Sequence, residues 1–345
     1  MPIVTQFNVP AGYLPAQSTR QEVYDFIIKE ITESLPLLNV NTDQYTYGRF
    51  NKWSAFALLS KMYLNAEVYT GQAEWDKCIS TCDSIINSQK YNLEANHKDV
   101  FVTNNENSKE IIFAIPFDDI YAPGFNVNME SLHPQNQQTY NMSTSPWGGT
   151  AAVPQFIDTY DPEDSRLKDW IQGQQYSSTG VPLTGTMDLV GQPLIYTNDI
   201  PSIDYSTEMS GYREGKYEYK LGLQMDMGND VPLFSYTDIL LMKAECLLRT
   251  GLTGEAAAIV TQVRQRSFTN ATKATVTGSD LTKGSVYKYG LKDSKYGLFT
   301  NEGGADIQYG RFLDELGWEF SMEGHRRQDL IRFNVFTKKS WLSHK

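Results

Sequence analysis

The sequence is poor in cysteine and histidine, and that scarcity removes several function classes. Three cysteines in 345 residues, Cys78, Cys82 and Cys246, build no disulfide framework. Cys78 and Cys82 stand four apart in a helical pattern, near the upper limit of Cα separation for a bridge, so all three are expected as small buried hydrophobes. The histidines His97, His133, His325 and His344 lack the paired spacing of a zinc site, and no metal or cofactor is expected. No Gly-x-Ser-x-Gly element, Ser/His/Asp arrangement or phosphate loop is present. No apolar run approaches membrane-spanning length, and the opening MPIVTQFNVPAGYLP lacks the basic and apolar blocks of a signal peptide, so the chain itself is expected to be soluble. Basic residues are also short. With 30 Lys and Arg against 41 Asp and Glu the net charge is −11, which disfavours nucleic acid and anionic lipid as partners.

What the chain does hold is apolar and aromatic: 40% hydrophobic residues, with 21 Tyr, 16 Phe and 6 Trp. That suffices for a full core and leaves aromatics for a surface, where flat rings stack on sugars or bind proteins. Residues 1–17 read as extended. Ser18 or Thr19 then caps a helix with Glu22 at the capping-box position, its stripe running Val23, Phe26, Ile27, Ile31, Leu35, Leu38 until Pro36 limits it. A helix over about Phe50 to Tyr69, stopped by Gly71, and a partner from Trp75 to Ile86 make a hairpin of tetratricopeptide length. A second hairpin, Tyr236 to Gly251 with Glu255 to Arg266, repeats the pattern, Gly251 matching Gly71. The segment between must leave the helical layer and return to it. That segment, 90–232, is rich in loops, with strand-like runs at Glu110 to Phe117 and Lys216 to Lys220 and turn signals at Ala122-Pro123-Gly124, Trp147-Gly148-Gly149 and Ser178-Thr179-Gly180. Long loops in a compact domain are usually functional. Phe268 to Gly304 reads as a polar surface insertion. The expected architecture is mainly α: helical hairpins as a scaffold with a loop-rich region containing short β-strands, as one unit divided 1–89, 90–232 and 233–345.

The densest pattern is Phe312 to Phe333. Glu315, Glu319 and Glu323 recur every four residues and so share a helix face; Gly324 ends the turn, and Arg326, Arg327, Asp329 and Arg332 follow within reach of them. Close carboxylates can work as general acid and base, but surrounding arginines hold them ionised where a general acid needs a proton, so a structural ion network is expected. The run Glu315, Glu319, Glu323-Gly324-His325-Arg326, Asp329-Leu330, Arg332 closely resembles the C-terminal signature of the SusD/RagB family, surface glycan-binding lipoproteins of Bacteroidetes outer membranes. Further matches follow in order: Tyr24 to Leu38, Gly48-Arg49 with Trp53 to Tyr63, Lys109 to Phe113, Phe156 to Arg166, Asp230 to Glu245, and Val263-Arg264 with Arg266. The chain departs from the family at Ser235, where arginine is common, and at Leu316-Gly317, two losses that would thin one ion cluster.

The resemblance implies a tetratricopeptide-like scaffold, a loop face that holds glycan without catalysis, and a SusC-like TonB-dependent transporter as partner at the outer-membrane surface. It also implies a longer N-terminus with a lipidated cysteine as anchor and a first hairpin, so Met1 is expected to open a shortened chain. Sugar recognition needs stacked aromatics with amides beside them. The loop residues that fit are Tyr140-Asn141 with Trp147, then Trp170 with its neighbouring glutamines, then Tyr121 with Asn126 and Tyr196 with Asn198. Each is also explained by an aromatic packing its own loop. The acidic clusters Asp161, Glu163, Asp164 and Asp118-Asp119 lack calcium-loop spacing. Two other functions stay open on these residues: a tetratricopeptide-type adaptor for protein or peptide, carried by the hairpins, and a glycoside hydrolase, carried by Glu319, Glu323 and Asp329.

Overall fold

A computed structural model describes residues 1–202 and 204–342; His344 lies outside the described residues. Helix α1 (Arg20–Ser34) opens on the expected capping box between Thr19 and Glu22. Its predicted stripe is only partly sheltered: the buried residue is Tyr24, whose hydroxyl donates to Glu74, and Val23, Phe26 and Ile27 stay half-exposed. The helix expected from Phe50 to Tyr69 is two, α2 (Lys52–Leu64) and α3 (Ala66–Thr70). The break falls at Asn65, at φ −98° and ψ 7°, where the backbone N–H and the side-chain amide both donate to the Lys61 carbonyl. α3 ends at Gly71 with φ +78°, a conformation glycine adopts without strain, and α4 (Trp75–Ile86) returns along α2.

β1 (Ile111–Ile115) then begins the loop-rich stretch, followed by the short helices α5 (Val127–Ser131), α6 (Gln137–Tyr140) and α7 (Pro154–Ile157). Two-residue strands β2 (Trp170–Ile171), β3 (Gly173–Gln174), β4 (Ile195–Tyr196) and β5 (Arg213–Glu214) pair antiparallel as β2 with β5 and β3 with β4. The strand expected at Lys216 to Lys220 does not form. Tyr217 and Tyr219 do alternate inward, but among the described residues no ladder runs beside them; the Glu218 N–H donates to the Phe101 carbonyl and its carboxylate accepts from the Thr103 N–H. β6 (Val231–Ser235) pairs antiparallel with β1 and brings the chain back to the helices.

α8 (Tyr236–Arg249) and α9 (Thr253–Arg264) form the second hairpin, with Gly251 at φ +87° beyond the first helix. α10 (Ala271–Ala274), α11 (Gly278–Leu281), β7 (Gly290–Asp293) and β8 (Leu298–Phe299) follow. This stretch is more than a surface insertion: Leu281, Tyr287 and Tyr289 are buried in the main core, because apolar rings interleaved with polar residues pull the segment down. α12 (Gly310–Glu319), α13 (Arg326–Arg332) and β9 (Trp341–Leu342), parallel to β7, close the chain.

α8 is the middle of the molecule, buried from Tyr236 to Met242 and from Ala244 to Leu248. α4 and α9 flank it, so the two hairpins sit side by side although about 150 residues of sequence separate them, a spacing of the order that a fold returning to its helical layer allows. Small residues let α2 and α4 close up. Ser54, Ala57 and Ser60 are fully buried; Ser60 donates to Thr81 Oγ1 at 2.8 Å and its carbonyl accepts from Cys78 Sγ at 3.3 Å. All three cysteines are buried thiols in this core.

Gly310 starts α12 where the backbone of Ser285 crosses it, and a Cβ built there would stand 2.0 Å from the Ser285 nitrogen. Gly310→Ala must therefore displace main chain. We expect a loss of about 1–3 kcal/mol or more in chemical denaturation, against a near-neutral result for Gly254→Ala, whose Cβ would meet open space.

Candidate functional site

The signature region holds buried charge, and its partners come from unexpected places. Glu315 and Glu319 lie on α12, but the helix stops there and Glu323 sits in the following turn, beyond Met322 at φ +66°. The cations facing them are not those of α13. Arg166, fully buried, donates to Glu315 and Glu319 at 2.8 and 2.9 Å and to Asp164 at 2.7 Å. Arg264 bonds Glu315 at 2.5 Å, Arg266 joins Glu319 to Glu110, and Lys216 reaches Glu323 at 2.5 Å. Arg332 pairs instead with Glu245 on α8, at 2.7 Å, and with Asp329. Arg326 caps the Leu313 carbonyl at 2.7 Å, its guanidinium lying against Gly317. At the two departures from the family pattern, Ser235 caps α8 in a box with Asp238, and Gly317 leaves room for Arg326.

Electrostatics divides these carboxylates. Burial alone would raise Glu319, but Arg266 and Arg166 overcome it and hold the group at about 2. Glu315 is likewise pushed up by burial yet falls below its ordinary value beside Arg166 and Arg264. Glu323 has only Lys216 against its burial and rises to about 7. That is the range a general acid uses, but the void between His97, Lys216, Glu319 and Glu323 is about 10 Å³, room for a single water at most. Substrate cannot enter. The described histidines are equally committed to structure, His97 to Asp169 at 3.1 Å, His133 to Glu208 at 2.7 Å and His325 to Asp238 at 3.3 Å. Among the described residues no group of three His, Cys, Asp or Glu side chains is arranged to hold a metal.

The loop face is different. Trp147 is 56% exposed and Tyr121 89% exposed, both on turns fixed by main-chain bonds: Trp147 N–H to the Met129 carbonyl, and the 118–122 turn closed on Asp118. Tyr140 closes α6 and packs edge-on against Tyr219, ring centroids 5.5 Å apart. The two rings, with Tyr217, Lys98, Ile171 and Glu218, line a cavity of about 280 Å³. Asn141 beside it is exposed, in the left-handed region at φ +49°, and its Oδ1 accepts from Ser178 at 2.9 Å. Asn126 is half-buried before α5, and Asn198 donates to Asp158 at 2.8 Å.

Two expected aromatics are turned inward. Trp170 is buried against Phe156 and Tyr160, its indole N–H donating to the Tyr160 hydroxyl at 3.2 Å. Tyr196 is buried beneath Arg213, its hydroxyl bonded to Asn136 and to the His133 amide. Both lie on the short strands β2 and β4, whose inward positions become core. Tyr217, Tyr219, Lys98 and the exposed Tyr176 were missed as candidates. The alternating tyrosines were visible, but as a strand.

One buried acid beside this cavity is unpaired. Both carboxylate oxygens of Glu214 lack partners, as does the Tyr219 hydroxyl, and burial pushes the Glu214 carboxyl up to about 8 in spite of Lys216. A carboxyl raised in the folded state contributes stability that is present below its unfolded value near 4.5 and lost as pH rises through about 8. Glu214→Gln cannot titrate, so its melting temperature relative to wild type should climb between pH 5 and pH 8.5; a constant difference would contradict the assignment. For the network, Arg166→Met leaves three carboxylates facing a neutral chain and should cost about 3–5 kcal/mol, with Arg326→Ala costing less, as read by denaturant unfolding.

A family model described as the SusD family matches residues 109–345. The chain is 23% identical over 378 residues to the starch-binding protein SusD of Bacteroides thetaiotaomicron, covering 95% of this chain and 60% of that protein. It is 23% identical over 310 residues to a SusD-like protein of Formosa agariphila, of which it covers 50%. The chain thus spans only 50 to 60% of the length of these curated relatives. Among solved structures, Bacteroides fragilis NanU superposes with a TM-score of 0.68 at 19% identity over 99% of this chain and 68% of that one. Surface glycan-binding protein A of B. thetaiotaomicron in complex with laminarihexaose gives 0.60 at 18% identity over 91% and 62%. These likenesses are of fold.

Proposed function

The chain belongs to the SusD family, and on that premise we propose that it is a non-catalytic glycan-binding protein of the outer-membrane surface that hands its ligand to a SusC-like TonB-dependent transporter. The observation that carries the reading is the contrast between two sets of residues. The acidic cluster is sealed around arginines with no room for substrate, while Trp147, Tyr121 and the tyrosine-lined cavity at Tyr140 are open on one loop-rich stretch. Open rings with amides beside them suit the apolar faces and hydroxyls of pyranoses. Family relatives named for starch or glycan binding support the ligand class. Among the described residues no helix is long and apolar enough to cross a membrane.

Contact residues under this reading are Trp147, Tyr140, Asn141 and Tyr121, with Asn126 at the edge; the buried Trp170 and Tyr196 support the loops that carry them. A glycan array should return hits, and Trp147→Ala should weaken the strongest of them about five- to tenfold, the order of one lost ring stack at ~1–1.5 kcal/mol, without moving the melting temperature. A blank array, or hits indifferent to Trp147→Ala, counts against glycan binding at this face. Co-purification with a transporter barrel tests the partner, and recovery of a soluble peptide-bearing partner in its place would favour an adaptor role.

A further inference from the structure

Arg311, one residue into α12, is at odds with the buried arginines around it. Arg166, Arg264 and Arg266 are each locked to carboxylates, whereas no salt bridge joins Arg311 to a carboxylate among the described residues, and its Nη1 is buried without an acceptor. The guanidinium sits over Trp318, its Cζ 4.2 Å from the ring centroid, with Arg166 also against that ring at 5.9 Å. The ring itself is fixed: Trp318 is buried, and its indole N–H donates to Thr159 Oγ1 at 2.8 Å. Stacking occupies the face of a guanidinium and leaves its in-plane N–H groups free to grip a planar anion.

In front of Arg311 lies a pocket of about 330 Å³, walled by Thr159, Tyr160, Phe268 and Val286 and distinct from the cavity at Tyr140. Its aspartates are already engaged, Asp164 by Arg166, Asp161 by Lys273 at 2.9 Å and Asp158 by the Asn198 amide. Burial pulls the Arg311 guanidinium below its ordinary value, opposed by Glu315 and Asp314 nearby. Since arginine keeps its proton, the charge remains and an incoming anion offsets its lost hydration.

We infer that this pocket is a second binding site, for a sugar bearing a carboxylate, a uronic acid by class, with Arg311 holding the carboxylate in a two-pronged bond and the Phe268 and Val286 wall meeting the ring. That the ligand is a sugar rests on the glycan reading; that it carries a carboxylate rests on Arg311. The space exceeds what a bare inorganic ion fills, and the fork favours a planar group.

The test is titration of the whole chain with D-glucuronate, D-glucose and inorganic phosphate, following the Trp318 indole N–H by NMR, assigned through Trp318→Phe. Glucuronate should move that resonance and glucose should not. Arg311→Met should weaken glucuronate binding tenfold or more, and Arg311→Lys, which keeps the charge without the fork, should fall between. Should Arg311→Met fail to fold, the lysine variant decides, and unchanged affinity there overturns the inference. So does a resonance that stays still under glucuronate, or phosphate bound more tightly than glucuronate. Array hits with a motionless Trp318 would defeat this site alone; a blank array with glucuronate still bound through Arg311 would defeat the loop-face reading alone.

Discussion

A fully buried arginine sets the terms for this fold. Arg166 has no access to water, so its charge persists only while carboxylates surround it, and those come from its own turn at Asp164 and from α12 at Glu315 and Glu319. The same glutamates are shared with Arg264 and Arg266 at the end of α9, and Arg266 passes the connection to Glu110 ahead of β1. Four stretches far apart in sequence must thus meet at one point. An ion network of this kind adds little net stability over apolar packing, but it penalises any arrangement in which one member is missing. It specifies how the loop-rich region is seated on the helical hairpins.

That seating separates mechanical work from recognition. α8 shows the division within one helix: its apolar residues join the core of both hairpins, while Thr237, Asp238 and Glu245 are buried and each answered by a partner, Glu110, the Ser235 cap and Arg332 respectively. Polar groups spent this way are unavailable for ligand. The glutamate pattern that first suggests catalysis is therefore where catalysis is least feasible, since Glu319 is held ionised and Glu323, although raised to about 7, faces a void no larger than a water. The loops' main chain is bonded at Asp118, Met129 and Ser178, and Trp147, Tyr121 and the Tyr140 cavity stay open to solvent.

Much of the scaffold was legible because helices advertise themselves. The cap at Thr19, the glycines at 71 and 251 and the periodic apolar stripes located the helices to within a residue or two, whereas the cap at Ser235 came only with the fold. Asn65 shows the limit: the helix breaks there although the periodicity carries through, because a side-chain bond to the Lys61 carbonyl is local and leaves the apolar pattern intact. The partners of the glutamates were harder to see. Arg326 and Arg332 were close in sequence, and Arg166, Arg264 and Arg266 were close in space; both sets read as matches to one family, but only the fold says which set faces Glu315 and Glu319.

The aromatics make the sharper case. Trp147 and Trp170 both stand in polar, glutamine- and glycine-rich sequence, and composition ranks them almost equally. What separates them is pairing. Trp170 is opposite Glu214 in a two-residue ladder, which fixes its side chain to the inner face, where Phe156 and Tyr160 close over it. Trp147 has no strand partner; its neighbours Gly148 and Gly149, at φ +72° and +141°, turn the chain away, and the indole is left outside. A ladder of two residues is too short to leave a period in the sequence, yet long enough to decide which of two tryptophans faces water.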